Sequence, residues 1–238
     1  MRAFLRAVVS VSVGFMVAAG AAQGAVNYSS QARSVYAEAG FGGGVVESFS
    51  ASDFATFNQT ATAGSPPLMN GGATTSQNSS LGQSAISNVS SVQAFDSTQN
   101  SLGRSRSLFT TSFSVDAPTP WQLSGSWMFS SQNVPTSGVT GTLLVRLEQQ
   151  GGGFLYNLDH NSQLSNPVVT SGVLAGAGLL QPGQTYILTM NMTEFSQVIA
   201  GTTGGNGSLD ATLSFVPAPS AAALLGLGGL VAGRRRRA

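Results

Sequence analysis

The sequence predicts an all-β protein: a jelly-roll-like antiparallel β-sandwich, flanked by an N-terminal signal helix and a C-terminal transmembrane helix. Three observations lead there. Apolar residues in the second half recur at every other position, not every third or fourth. Clusters of glycine, proline and asparagine separate these runs. Both ends of the 238-residue chain carry short apolar segments beside arginines, unlike the polar stretch between them.

Six runs alternate. Phe109, Thr111, Phe113 and Val115 share one face of the first. Trp121, Leu123, Gly125, Trp127 and Phe129 share one face of the second, and Val139, Gly141, Leu143, Val145 and Leu147 that of the third. Phe154, Tyr156 and Leu158 make a short fourth. Tyr186, Leu188, Met190 and Met192 make the fifth, and Leu209, Ala211, Leu213 and Phe215 the last. Opposite faces hold Ser, Thr, Gln, Asn, Arg146, Glu148 and Asp210, so each strand presents a dry side and a wet side. Gly151-Gly152-Gly153 divides the third run from the fourth. Pro182-Gly183 suits a type II turn, and Asn206-Gly207 tolerates positive φ ahead of the last run. Leu180 to Tyr186 (LQPGQTY) resembles a recurrent late-strand pattern of extracellular sandwich domains.

The first half reads less plainly. Ser34 to Glu38 and Val45 to Phe49 suit strands. Ala63 to Ser80, rich in Gly, Ser, Asn, Gln and Thr, reads as a long loop or insertion. Leu81 to Phe95 fits either a strand pair or a loose helix.

The two ends read as addresses. Arg2 and Arg6 precede the apolar run Ala7 to Ala22, and small residues follow, with Ala22 and Gly24 at −3 and −1 of a cut after Gly24. That is the layout of a secretory signal peptide over residues 1–24; a cut after Ala21 is the alternative. At the other end Val216-Pro217-Ala218-Pro219 precedes the apolar run Ala221 to Gly233 and then Arg234, Arg235, Arg236 and Arg237. As a helix that run spans about 20 Å against roughly 30 Å of hydrocarbon, so it grips a bilayer weakly. The arginines hold their end on the cytoplasmic side. The body between the addresses is residues 25–215, enough for one sizeable core.

This proline pair, small-residue helix and terminal arginine run over 216–238 together resemble the PEP-CTERM sorting tail. Ala218 stands where that family carries glutamate. The resemblance implies export through the inner membrane, transient membrane anchoring by the helix, and processing by a membrane-embedded exosortase-type protease or transpeptidase. Pro217 and Pro219 would be its motif prolines and Arg234 to Arg237 its cytoplasmic stop. It implies nothing about the body's activity.

Composition narrows the rest. There is no cysteine, so disulfides, thiolate metal sites and thiol nucleophiles are excluded. All ten basic residues are arginines, but six lie in the two addresses. The body keeps Arg33, Arg104, Arg106 and Arg146 against nine acids, a net charge of −5. An acidic body repels phosphates, which argues against a nucleic-acid partner. His160 is the only histidine and reads as a solvated residue of a polar loop. Asn157, Asp159 and Asn161 alternate like calcium-loop oxygens, but Ser162 and Val168 stand where an EF-hand needs Gly and Glu, so a polar hairpin turn is the simpler reading. No Gly-x-Ser-x-Gly elbow, nucleotide loop or distinct carboxylate pair stands out. Trp121 and Trp127, six residues apart, share a strand face; they suit a sugar-stacking platform, but Leu123 and Phe129 on that face favour burial.

The expectation is a non-enzymatic exported protein of the cell surface or extracellular matrix, structural or adhesive in role. No catalytic, cofactor or metal site is assigned. The alternative is a carbohydrate-binding module retaining exopolysaccharide, with a glycan hydrolase third. The expected partners are the exosortase, the membrane and, under the alternative, an extracellular polysaccharide.

Overall fold

The computed structural model describes residues 24–40, 45–64, 71–96, 101–132, 138–164, 169–198 and 203–216. Residues 1–23 of the expected signal peptide and residues 217–238 of the expected sorting tail, with both expected helices, lie outside the described residues. Among the described residues every regular element is a strand, and no helix is long and apolar enough to cross a membrane.

Twelve strands follow in order: β1 (Val26–Ala39), β2 (Val45–Ser50), β3 (Phe57–Ala63), β4 (Gly72–Leu81), β5 (Ala85–Asp96), β6 (Ser101–Val115), β7 (Thr119–Gln132), β8 (Gly138–Gln149), β9 (Phe154–Leu164), β10 (Val169–Leu180), β11 (Thr185–Val198) and β12 (Thr203–Phe215). They form two six-stranded antiparallel sheets, ordered β2-β1-β6-β11-β8-β9 and β10-β7-β12-β5-β4-β3. The inner faces meet in a shared core, which makes the body an antiparallel β-sandwich.

The alternating runs build that core. Phe109, Phe113, Leu143, Val145, Leu147, Tyr186, Leu188 and Met190 project from one sheet, and Leu123, Phe129, Leu209, Ala211 and Leu213 from the other. Each is at most 1% exposed, so the transfer of these side chains from water is essentially complete. A smaller, alanine-rich cluster (Val35, Ala37, Ala39, Phe57, Ala61, Ala63, Ala73) closes the opposite end between β1, β3 and β4.

Turn chemistry holds where glycine is unavoidable. Gly183 has φ +75°, as a type II turn needs after Pro182, and Gly151 has φ +73° between β8 and β9. The Tyr186 hydroxyl accepts from Gln181 N at 2.7 Å and donates to Gln181 O at 3.2 Å, locking the turn before β11.

Several expectations are corrected. Asn206-Gly207 is not a turn but lies inside β12; Gly207 is there because a Cβ would press into the Phe129 ring. The presumed loop Ala63 to Ser80 begins on the last residue of β3 and holds all of β4 but Leu81, and Leu81 to Phe95 gives the end of β4, a turn and all but the last residue of the single strand β5. In the fourth run, a register shift opposite Leu147 and Glu148 turns Phe154 outward, over the Arg146 guanidinium at 4.4 Å, while Tyr156 and Leu158 stay against the core.

Candidate functional site

The residues singled out by the sequence do not form a surface platform. Trp121 and Trp127 are 3% and 8% exposed and belong to the main core. Their rings lie over β10, whose glycines make the room: a Cβ on Gly172 would strike the Trp127 indole, and one on Gly178 that of Trp121. Burial here follows from pairing a bulky strand with a glycine strand. In this packing the rings offer no face to a sugar in solvent.

His160 is not in a loop. It sits on β9 facing inward, its ring 4.4 Å from Trp127 and 6.3 Å from Phe129, with Nε2 buried and unpartnered among the described residues. Asn157, Asp159 and Asn161 share the exposed face of the same strand. Side chains two apart on a strand stand roughly 7 Å from one another, so they diverge instead of closing on a cation. Asn157 Oδ1 accepts from Arg146 Nε at 3.0 Å. Among the described residues no three acidic or histidine side chains come together.

Two polar features were not anticipated. The first is internal. Where β4 and β5 face β6 and β11, the inward positions are Thr75, Gln77, Ser79, Asn88, Ser90, Ser105, Ser107, Glu194 and Ser196, all buried. Gln77 Nε2 donates to Asn88 Oδ1 (3.1 Å) and Leu108 O (3.2 Å), and Thr75 Oγ1 to Tyr36 O (2.9 Å). The hydroxyls of Ser79, Ser90, Ser105, Ser107 and Ser196 and both carboxyl oxygens of Glu194 find no partner among the described residues. Glu194 reaches across the sandwich to Gly205, where a Cβ would fall on its carboxyl group. Burial pushes its pKa up to about 9, so it is a neutral carboxylic acid at neutral pH.

Arg33, also inward, borders this region. It is 2% exposed yet fully engaged: Nη2 donates to Asp53 O (2.6 Å) and Ala55 O (2.7 Å), and Nε to Gln31 Oε1 (3.0 Å). Desolvation lowers its pKa and Asp53 opposes that. It staples the segment before β3 onto β1.

The second feature is external and is the better candidate for a ligand. Arg104 and Arg106 alternate on β6, so both project from the outer face of the sheet. With Ser34, Tyr36, Ser48 and Ser50 they line a groove of about 220 Å³. The Tyr36 hydroxyl donates to Glu38 Oε2 at 2.7 Å; burial chiefly, then that bond, raises its pKa, so it stays a neutral phenol. Among the described residues neither guanidinium is hydrogen-bonded or ion-paired, whereas Arg33 is engaged inside and Arg146 lies over Phe154. The body's two uncommitted cations therefore lie side by side among hydroxyls. Guanidinium forks of this kind hold carboxylate, sulfate or phosphate oxygens. The Arg-x-Arg spacing was visible in the sequence; what was not visible was that β1 and β2 bring Ser34, Tyr36, Ser48 and Ser50 beside it in the same sheet.

Only the first residue of the proline motif is described. Val216 is 43% exposed, and its N–H donates to Pro120 O at 2.8 Å, directly after β12 ends at Phe215. Pro217, Ala218, Pro219 and Arg234 to Arg237 lie outside the described residues.

No family model and no curated protein matches the chain. Among solved structures it is similar to the enzymatically active domain of tailspike protein 4 of bacteriophage CBA120, with 12% identity, a TM-score of 0.24, and coverage of 76% of this chain and 19% of that one. An arabinose-bound α-L-arabinofuranosidase gives 16% identity and a TM-score of 0.21 over 60% of this chain and 24% of that one. A structure of infectious bursal disease virus, Gx strain, gives 11% identity and a TM-score of 0.21 over 89% and 72%. This chain thus spans about a fifth of the tailspike chain and a quarter of the glycosidase chain, and scores this low carry no weight for ligand or activity.

Proposed function

We propose that the chain is an exported, non-enzymatic protein of the cell surface or extracellular matrix. Its body is a jelly-roll-like sandwich with a structural or adhesive role, and its tail is a sorting signal processed by an exosortase-type enzyme. One observation carries the reading. The last strand of the body stops at Phe215, and Val216 N is tied to Pro120 O, so the proline motif begins where the packed fold ends. Prolines keep the following backbone extended and accessible. The short apolar segment then holds the chain only weakly in a bilayer, and the arginines resist passage through it. Seven of the eleven strand connections pass from one sheet to the other, which supports the jelly-roll-like description.

The adhesive role has a specific seat in the Arg104–Arg106 groove, which favours the second reading, a module that retains acidic polysaccharide. Two guanidiniums amid serine and tyrosine hydroxyls suit a sugar chain carrying carboxylate or sulfate groups. The buried tryptophans play no part in it.

Fractionation of the exporting cell tests the sorting proposal. Changing Pro217 and Pro219 together to alanine is expected to leave full-length protein in the membrane fraction while the native chain reaches the surface or medium. Equal release of both proteins would overturn it.

A further inference from the structure

We infer that Tyr36 is a positioning residue of the Arg104–Arg106 groove: its hydroxyl holds the Glu38 carboxylate on β1 and so keeps the Arg104 guanidinium open to an acidic ligand. The inference rests on the acidic-polysaccharide reading of this groove and adds what keeps the groove cationic.

The strand register sets the problem. Between β1 and β6, Glu38 is the Cα partner of Arg104 and Tyr36 that of Arg106. All four side chains lie on the outer face, since Ala37 and Ser105 between them are buried inward. Directly opposite side chains on neighbouring strands have Cβ atoms roughly 5 Å apart, and opposite charges placed so attract each other. Glu38 is also the only acid on the outer face of β2, β1, β6 and β11. Glu47 stands opposite the inward Ala37, and Glu194 is buried between the sheets. Left to the register alone, Glu38 would close onto Arg104 and cancel half of the groove's positive charge.

The side chains are arranged otherwise. Glu38 Oε2 accepts from the Tyr36 hydroxyl at 2.7 Å, and no ion pair joins Glu38 to Arg104. Tyr36 and Glu38 are two apart on one strand, so this bond directs the carboxylate along β1 instead of across to β6. Arg104 is nonetheless near. Burial and the bond to Glu38 raise the pKa of the Tyr36 phenol, and the Arg104 charge opposes them. The net rise keeps the phenol a donor through the neutral range, so the restraint persists there. The other neighbours compete for neither guanidinium: the Cα partners of Arg104 and Arg106 on β11 are Phe195 and Thr193. Among the described residues, Glu38 is therefore the group placed to neutralise the groove, and Tyr36 the group that restrains it.

Retention of the exported protein on immobilised polygalacturonate at low salt tests this with Tyr36→Phe, Glu38→Gln and the two combined. Tyr36→Phe frees the carboxylate to pair with Arg104, so retention is expected to fall about threefold to fivefold, the weight of one exposed ion contact. Glu38→Gln is expected to raise retention, because it removes the carboxylate beside the acidic ligand. The combined variant is expected to regain at least native retention, a rescue that a merely structural role for the hydroxyl would not give. Unchanged retention of Tyr36→Phe, weaker retention of Glu38→Gln, or a combined variant as weak as Tyr36→Phe would each overturn the inference. A readout without polysaccharide separates it from the reading it rests on. In Tyr36→Phe the Arg104 Nε proton, followed by NMR, is expected to exchange with water more slowly as Glu38 closes on it, and an unchanged rate would overturn the inference. If that proton slows as expected but native protein and the Arg104→Ser, Arg106→Ser double variant are retained equally, the role of Tyr36 stands and the polysaccharide reading falls.

Discussion

Glu194 carries the sharpest single-residue consequence. The folded protein holds a proton on this carboxyl up to about pH 9, whereas in the unfolded chain the group ionises in the ordinary carboxylate range. Between those limits the native state binds more protons than the unfolded one. Glu194 therefore costs no stability below the ordinary carboxylate range and progressively more as pH rises toward 9. Urea midpoints should fall from pH 5 to pH 9 in the native protein, and Glu194→Gln, which keeps the shape without the charge, should flatten that slope. A native midpoint that rises over this interval, or an identical slope in the variant, would contradict the placement. Arg33 makes the opposite case, a buried charge that is well satisfied. Arg33→Met strands the carbonyls of Asp53 and Ala55 and should cost about 2–4 kcal/mol, measured by denaturant unfolding. Neither residue was legible in advance. Both were visible only as isolated charges, because the sequence says where a strand alternates but not which of its two faces will be covered.

At the scale of the element, the strands that sequence made plain are those with apolar inner faces. Phe109 to Val115, Val139 to Leu147, Tyr186 to Met192 and Leu209 to Phe215 each fall wholly within a strand, with the alternating set buried. β4 and β10 escaped notice for opposite reasons. The inward side chains of β4 are Ala73, Thr75, Gln77 and Ser79, so its two faces differ little in polarity and the period-two signal vanishes. Those of β10 include Gly172, Gly176 and Gly178, which lie under the indole rings of β7 and look like loop residues in sequence. His160 was misplaced because the polar stretch Asn157 to Asn161 reads as a loop, whereas β9 runs through it to Leu164 and keeps His160 on the same face as Tyr156 and Leu158. The pairing of β7 with β10 makes a direct prediction. Trp127→Ala should cost about 3–5 kcal/mol, and native tryptophan fluorescence should be blue-shifted and poorly quenched by iodide. Freely quenched tryptophans in the folded protein would contradict it. The external groove is tested by Arg104→Ser and Arg106→Ser together. Retention on an acidic polysaccharide column at low salt should fall at least tenfold while the thermal midpoint barely moves, since neither side chain is bonded to the fold. Undiminished retention would remove the groove from the account.

For the molecule as a whole, composition and order of segments were more informative than any motif in the body. The absence of cysteine and lysine, the acidic middle and the arginine-flanked apolar ends were all readable without coordinates, whereas the groove needed β1, β2 and β6 brought together from residues 34 to 106. The proposal that unites these features is that export and processing free an acidic sandwich from two basic addresses. Removing them would change the net charge from +1 to −5, leaving a soluble surface whose uncommitted cations are Arg104 and Arg106. Mass spectrometry of the mature protein from a host with an active exosortase tests this most directly. The account predicts an N-terminus at Ala25, or at Ala22 for the alternative cut, and a C-terminus between Val216 and Ser220. A mature chain whose C-terminus is still Arg237-Ala238 would contradict it.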